Sequence, residues 1–230
     1  KSPSFVYHYL AALHLGAVAL PLNPDCTLTE ARYYLEDSAA AVVLVDDARD
    51  ELAKSLHEFS CVPLGSAPVS PSGLALGSLP LPEHNATALM IYTSGTTGRA
   101  KGAEITHANL GAQLDALHEM WDWRAEDRLL HALPLFHVHG LIVALHAALH
   151  AGATAALLPR FDPVVVLQLL ATRSYSVYMG VPTMHRRLVD RTAGPVDLSH
   201  VRLVTSGSDR LPEALFDAFR ASFGIELLER

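Results

Sequence analysis

YTSGTTGRAKG, residues 92–102, follows directly on the apolar run Ala88-Leu89-Met90-Ile91. An apolar run ahead of a Gly/Ser/Thr-rich stretch predicts a buried strand that opens into a loop. Thr93, Ser94, Thr96 and Thr97 offer hydroxyls, while Gly95 and Gly98 allow backbone N–H groups to turn toward a bound oxyanion. Lys101 adds the positive charge that a triphosphate attracts. A Walker-type loop requires G-x4-G-K-[ST]; here Gly95 and Gly98 stand too close, and Lys101 is followed by Gly102. The bland alternative is a polar connector with no ligand. The fixed order of hydroxyls, glycines and lysine behind a buried strand favours a triphosphate cradle.

The flanking segments alternate in type. Phe5–Leu15 has helical spacing and ends at Gly16, where a helix C-terminal glycine belongs. Ala17–Leu22 reads as a short strand. Thr27–Asp37 reads as a helix with Thr27 and Glu30 in capping-box positions, and Ala41–Val45 as a strand buried on both faces. Cys61–Glu83, rich in Pro, Gly and Ser, reads as a connecting segment, with a lobe boundary expected within 61–87. Beyond the glycine loop the pattern predicts a helix over 108–121 with Thr106 as its N-cap. Further helices are expected at 140–151, 163–172, 183–190 and 212–222, and strands at 153–158, 175–179, 201–205 and 225–228. The fold class expected is α/β, with mostly parallel βα-alternating sheets and flanking helices.

Composition narrows the functional classes. The 230 residues are half hydrophobic and only 18% charged, which argues against disorder, and a net charge of −7 argues against nucleic acid as a partner. Cys26 and Cys61 have no metal-site spacing and read as free thiols of a reducing compartment, with one bridge between them as the alternative. The apolar stretch Leu141–Leu158 contains His146, His150 and Gly152, so it reads as a buried helix followed by a strand, not a membrane span. No cationic segment leading into an apolar core opens the sequence, so the expected location is the cytoplasm, or else an organelle matrix.

The stretch at 92–102 resembles the phosphate-loop signature of the adenylate-forming superfamily: acyl-CoA synthetases, luciferases and peptide-synthetase adenylation domains. It departs once, with Ala100 where that family usually has proline. Leu13–Asp46 is similar to the family's early αβαβ stretch, LPLFHVHGL (Leu133–Leu141) to its acyl-pocket motif, and Val204–Arg230 to the segment that flanks adenine. The resemblance therefore covers nearly all 230 residues. It implies part of an N-terminal adenylating domain, with the C-terminal domain and its catalytic lysine expected outside residues 1–230.

The implied reaction activates a carboxylic acid with ATP to an acyl-adenylate, then transfers the acyl group to coenzyme A. By resemblance, Thr93, Ser94, Gly95, Thr96, Thr97, Gly98 and Lys101 would grip the β- and γ-phosphates. Ser206, Gly207, Ser208, Asp209 and Arg210 would border the adenine, and the Mg2+ ligands are expected beyond Arg230. His137 would act at the acyl pocket as a gating or carboxylate-orienting catalytic group, with His139 beside it. An extended His137-Val138-His139 would turn both imidazoles to one side, as a metal site needs. No third ligand has suitable spacing, and His131 reads as surface, so no metal site is expected here. The Gly180–Met184 motif with Arg187 behind it, together with the final LLER, resembles malonyl-CoA synthetases. There, residues matching Arg187 and Arg230 would bind the distal carboxylate of malonate or methylmalonate. The alternatives are a fatty or aryl acyl-CoA synthetase, an adenylation domain serving a carrier protein, and a truncated nucleotide-binding fragment without activity of its own.

Overall fold

The computed structural model describes residues 1–46, 50–65, 80–93 and 99–230. Helix α1 (Pro3–His14) begins where the Ser2 hydroxyl accepts the Phe5 N–H, with proline in its first turn, and it buries Val6, Tyr9 and Leu13. Helix α2 (Leu28–Asp37) carries the predicted capping box: the Thr27 hydroxyl accepts the Glu30 N–H, and the Glu30 carboxylate accepts the Thr27 N–H. Strand β1 (Val43–Val45), helix α3 (Asp50–Ser55) and strand β2 (Cys61–Pro63) follow, with β1 and β2 paired in parallel.

Three sequence expectations are corrected in this part of the chain. Ala41–Val45 is not buried on both faces, since Val42 and Leu44 are 54% and 44% exposed. The stretch read as a connecting segment from Cys61 contributes β2 to a sheet. Ala17–Leu22 forms only a single parallel bridge, Ala19 to Leu89.

Strand β3 (Thr87–Thr93) occupies the predicted position but does not lead straight to a helix. It turns back into strand β4 (Lys101–Thr106), making an antiparallel hairpin with Thr93 opposite Lys101. The polar composition of Lys101–Thr106 conceals that strand, because its burial is one of exposed and half-buried positions. Helix α4 (His107–Trp121) then starts at Thr106. The Thr106 hydroxyl accepts the Asn109 N–H and the Asn109 side chain accepts the Thr106 N–H, a reciprocal cap with Asn in place of Glu.

Two compact units result: Ser2–Leu110, and Gly111–Arg230 with Lys1. The division falls in α4, between Leu110 and Gly111. In the second unit, β5 (Arg128–His131) leads into a π-type helix, π1 (His139–His146), which tightens into α5 (Ala147–His150). Then come β6 (Thr154–Leu157), α6 (Pro163–Ala171), β7 (Val177–Gly180), α7 (Pro182–Val189), β8 (Leu203–Ser206), α8 (Glu213–Phe223) and β9 (Leu228–Glu229). These five strands form one parallel sheet in the order β6-β5-β7-β8-β9. The sequence did not predict β5, whose Arg-Leu-Leu-His is too short to show a period.

The inner strands β5, β7 and β8 are almost wholly buried, as expected when helices cover both faces, whereas the edge strands β6 and β9 are half-buried and exposed. Leu129, Leu130, Val177, Tyr178 and Met179 are at most 1% exposed, and Phe219 and Phe223 of α8 pack into the same core. The stretch Leu141–Leu158 is the buried helix and β6, and among the described residues no helix is long and apolar enough to cross a membrane. At the N-terminal edge of the sheet, the Asp127 carboxylate accepts hydrogen bonds from Arg202, the Ser176 hydroxyl and the Arg124 N–H. The strand order reverses between β5 and β7: from β5 the chain builds outward to β6, then crosses back and builds β7, β8 and β9 on the other side. In open parallel sheets, ligands bind outside the C-terminal strand ends at such a reversal.

Candidate functional site

The C-terminal ends of β7, β8 and β9 carry a second group of polar residues in the Gly111–Arg230 unit, at the edge opposite Asp127. The chain leaves β8 through Gly207, whose N–H donates to the Gly180 carbonyl at 3.2 Å, while the Arg230 N–H donates to the Ser206 carbonyl at 3.0 Å. These bonds hold the ends of β7, β8 and β9 side by side. A Cβ on Gly207 would stand 2.7 Å from Arg230 Nε and 3.1 Å from His139 Cε1. Glycine is what lets the guanidinium lie across this turn beside the imidazole. Ser208 follows in the left-handed region at φ 69°, and its hydroxyl hydrogen-bonds His139 Nδ1 at 3.1 Å.

His139, Gly207, Ser208 and Arg230 are thus brought together. His139 is 4% exposed, and its pKa is lowered to about 4 by burial first, then by the Arg230 charge and by His185. It is therefore a neutral imidazole near pH 7. Partial burial also lowers the Arg230 pKa, although a guanidinium keeps its charge. Among the described residues, the buried Thr205 and Ser206 hydroxyls and His139 Nε2 have no hydrogen-bond partner. Successive strand residues face opposite sides of the sheet, so the Thr205 and Ser206 hydroxyls lie on different faces of β8.

His185 lies under this edge and was missed by sequence reasoning. It is fully buried, its Nε2 is 3.0 Å from the Thr205 carbonyl, and its ring stands edge-on to Tyr178 and Phe219. A Cβ on Gly180 would meet that ring at 2.9 Å. Burial lowers its pKa to about 4 against the opposing pull of backbone hydrogen bonds. The signal lay in the helical spacing: Met184, His185 and Leu188 are one buried face of α7. Lys1 was missed as well; its ammonium donates to the His131 and Leu133 carbonyls at 2.7 Å, and burial lowers its pKa to about 7.

Several expected residues stand elsewhere. His137 and His139 do not share one side of an extended segment. Val138 has helical dihedrals (φ −48°, ψ −43°), so His137 is exposed against the Phe136 ring while His139 is buried. Partial desolvation lowers the His137 pKa. His131, read as a surface residue, is 1% exposed at the end of β5, and burial, then Lys1, drives its pKa well below the usual imidazole value. Among the described residues, no group of three or more His, Cys, Asp or Glu is arranged to hold a metal ion. Arg187 is exposed on α7, its guanidinium 5.0 Å above the Phe161 ring. Asp209 and Arg210 are exposed, and the Asp209 carboxylate accepts the Arg210 N–H.

In the other unit, Thr93 and Lys101 are cross-strand partners at the end of the β3–β4 hairpin, and the Thr93 hydroxyl is 3.5 Å from the Lys101 carbonyl. Both are exposed. Ser94, Gly95, Thr96, Thr97 and Gly98 lie outside the described residues.

The chain belongs to the AMP-binding enzyme family, which it matches over residues 1–229. It is 35% identical over 253 aligned residues to the mitochondrial malonate–CoA ligase ACSF3 of Xenopus laevis, covering 100% of this chain and 44% of that protein. Its fold is similar to that of ATP-bound MatB from Rhodopseudomonas palustris, at 34% identity and a TM-score of 0.86, covering 100% of this chain and 47% of that one. It is likewise similar to a malonyl-CoA ligase in a ternary product complex with methylmalonyl-CoA and AMP, at 34% identity and a TM-score of 0.86, with 49% of that chain covered. The chain spans about half the length of the proteins it matches.

Proposed function

We propose that these residues are part of the N-terminal adenylating domain of an ATP-dependent acid–CoA ligase whose favoured acid is malonate or methylmalonate. The acid's carboxylate attacks the α-phosphorus of ATP, pyrophosphate leaves, and the acyl-adenylate passes its acyl group to the thiol of coenzyme A with release of AMP. Such chemistry draws most of its rate from positioning and charge neutralisation.

The observation that carries this reading is the Arg230 guanidinium lying across Gly207 beside neutral His139 and the Ser208 hydroxyl. A permanent cation next to neutral hydrogen-bonding groups suits a carboxylate. Dicarboxylic acids keep a second carboxylate for such a cation after the first has reacted. In this reading Thr93–Gly98 and Lys101 hold the β- and γ-phosphates, Ser206–Arg210 border the adenine, and His137 orients the acid. Family membership and the likeness to malonate–CoA ligases support the same assignment.

One observation favours a second reading, a fatty or aryl acyl-CoA synthetase: Arg187 rests on Phe161. An apolar acid would leave a cation in its pocket unpaired, which is costly. ATP–pyrophosphate exchange separates the two when the protein carrying this chain is given Mg-ATP with malonate, methylmalonate, acetate or octanoate. Exchange driven by malonate or methylmalonate is expected. A preference for octanoate would overturn the dicarboxylate assignment, and no exchange with any acid would overturn the ligase assignment.

A further inference from the structure

His185 is a polar group in a place that packing alone would give to an apolar one. It stands on the buried face of α7 with Met184 and Leu188 and is fully buried. Its ring lies edge-on to those of Tyr178 and Phe219, with centroids 5.9 and 5.2 Å away. Burial keeps the ring neutral near pH 7. A carbonyl only accepts hydrogen bonds, so the 3.0 Å contact between Nε2 and the Thr205 carbonyl puts the ring's one proton on Nε2. Nδ1 is then a buried acceptor with no hydrogen-bond partner. Leucine would fill the space without that cost, so packing does not account for an imidazole here.

The bonded carbonyl stands just ahead of the acid site. Thr205 is one residue before Ser206, whose carbonyl accepts the Arg230 N–H, and two before Gly207, which donates to the Gly180 carbonyl. Gly180 pairs with Ser206 in the sheet, and the His185 ring fills the side of Gly180 where a Cβ would point, 2.9 Å from it. His185 therefore stands on the Ser206 side of the sheet. Gly207 faces the other way, toward Arg230 and His139. The imidazole thus reaches the acid site only through the backbone of Thr205–Ser208, which ends with the Ser208 hydroxyl on His139 Nδ1.

We propose that His185 is a positioning residue for the acid: its Nε2–H holds the Thr205 carbonyl, and with it the turn that seats Arg230 and Ser208 against the acid's distal carboxylate. This rests on the reading of Arg230 as the partner of that carboxylate. Without the bond the turn relaxes, and the cation leaves the place where a second carboxylate stands. An acid with a single carboxylate has no such group for Arg230 to bind. Any disturbance of the neighbouring adenine border falls on both kinds of acid alike. The signature is a selective loss of malonate relative to acetate.

The test is ATP–pyrophosphate exchange by the protein carrying this chain, with malonate as substrate and acetate as its competitor, in the parent, His185→Leu and His185→Gln. Leucine removes the donor and keeps the bulk; glutamine keeps an N–H for the Thr205 carbonyl. The preference for malonate over acetate is expected to fall about fivefold in His185→Leu, the worth of one ordinary hydrogen bond, and to stay within about twofold of the parent in His185→Gln. A preference unchanged in His185→Leu, or lost equally in both variants, overturns the proposal. Parallel weakening of malonate and acetate, the mark of a purely structural role, overturns it as well. Should His185→Leu not fold, His185→Met takes its place, since methionine also lacks a donor and adapts its shape. A parent that binds acetate as tightly as malonate sinks the dicarboxylate reading itself, a result distinct from failure of the positioning role.

Discussion

Gly140 and Gly207 both stand where a side chain would collide, but with different neighbours. A Cβ on Gly140 would lie 1.9 Å from the Pro134 carbonyl oxygen and 2.9 Å from its carbon. Backbone cannot retreat as a side chain can, so Gly140→Ala is expected to lower the unfolding free energy by about 3 kcal/mol in urea denaturation. At Gly207 the nearest atoms belong to the Arg230 side chain, which is flexible. Gly207→Ala should barely change stability but displace the guanidinium. If Arg230 pairs with the acid, malonate affinity should fall about tenfold, the scale of one charge-assisted hydrogen bond. A titration in which malonate affinity is unchanged would remove Arg230 from the acid site. Both residues lie in segments that the sequence singles out, yet neither clash is legible there. Each arises from atoms brought close by a turn, and at Gly207 from residues distant in the chain.

Among the elements, local signals held and solitary ones were lost. The Thr27–Glu30 box was legible because its partners are three residues apart, and Asp162 marks the start of α6 in the same way by accepting the Val164 and Val165 N–H groups. Asp162→Ala is expected to cost about 1 kcal/mol by thermal or chemical denaturation. Strands β4 and β5 were missed because one is polar with no buried position and the other has four residues. Asp127, next to β5, ties the element to its neighbours through Arg202 and Ser176, which no local pattern announces. Burial alone would raise the Asp127 pKa, but the bonds from Arg202, Ser176 and the Arg124 N–H outweigh it and hold the carboxyl below its ordinary value. Asp127→Ala leaves Arg202, whose side chain is 25% exposed, without its carboxylate. A loss of about 3 kcal/mol is expected, and a double-mutant cycle with Arg202→Met should recover part of it.

Over the whole molecule, buried imidazoles set the response to acid. His139 and His185 have pKa values lowered from 6.5 to about 4, chiefly by burial. Between pH 6.5 and about 4 the unfolded chain takes up protons at these positions and the folded chain does not. Their contribution to stability is therefore complete above pH 6.5 and declines as the pH falls toward 4, by about 1.4 kcal/mol per pH unit for each imidazole. Denaturation midpoints measured from pH 7.5 to 4.5 should fall accordingly, and less steeply in His139→Asn; equal slopes would show that His139 does not titrate as a buried group. The sequence by itself determined the α/β class, most of the alternating elements of the Gly111–Arg230 unit and the glycine-loop signature, because periodicity, caps and motifs are carried by residues close together in the chain. Only the tertiary structure decided that the loop's strand returns as a hairpin, that His137 and His139 part, and that Gly207, His139, Ser208 and Arg230 meet. Those outcomes depend on strand order and on contacts between residues up to a hundred positions apart, which no local pattern encodes.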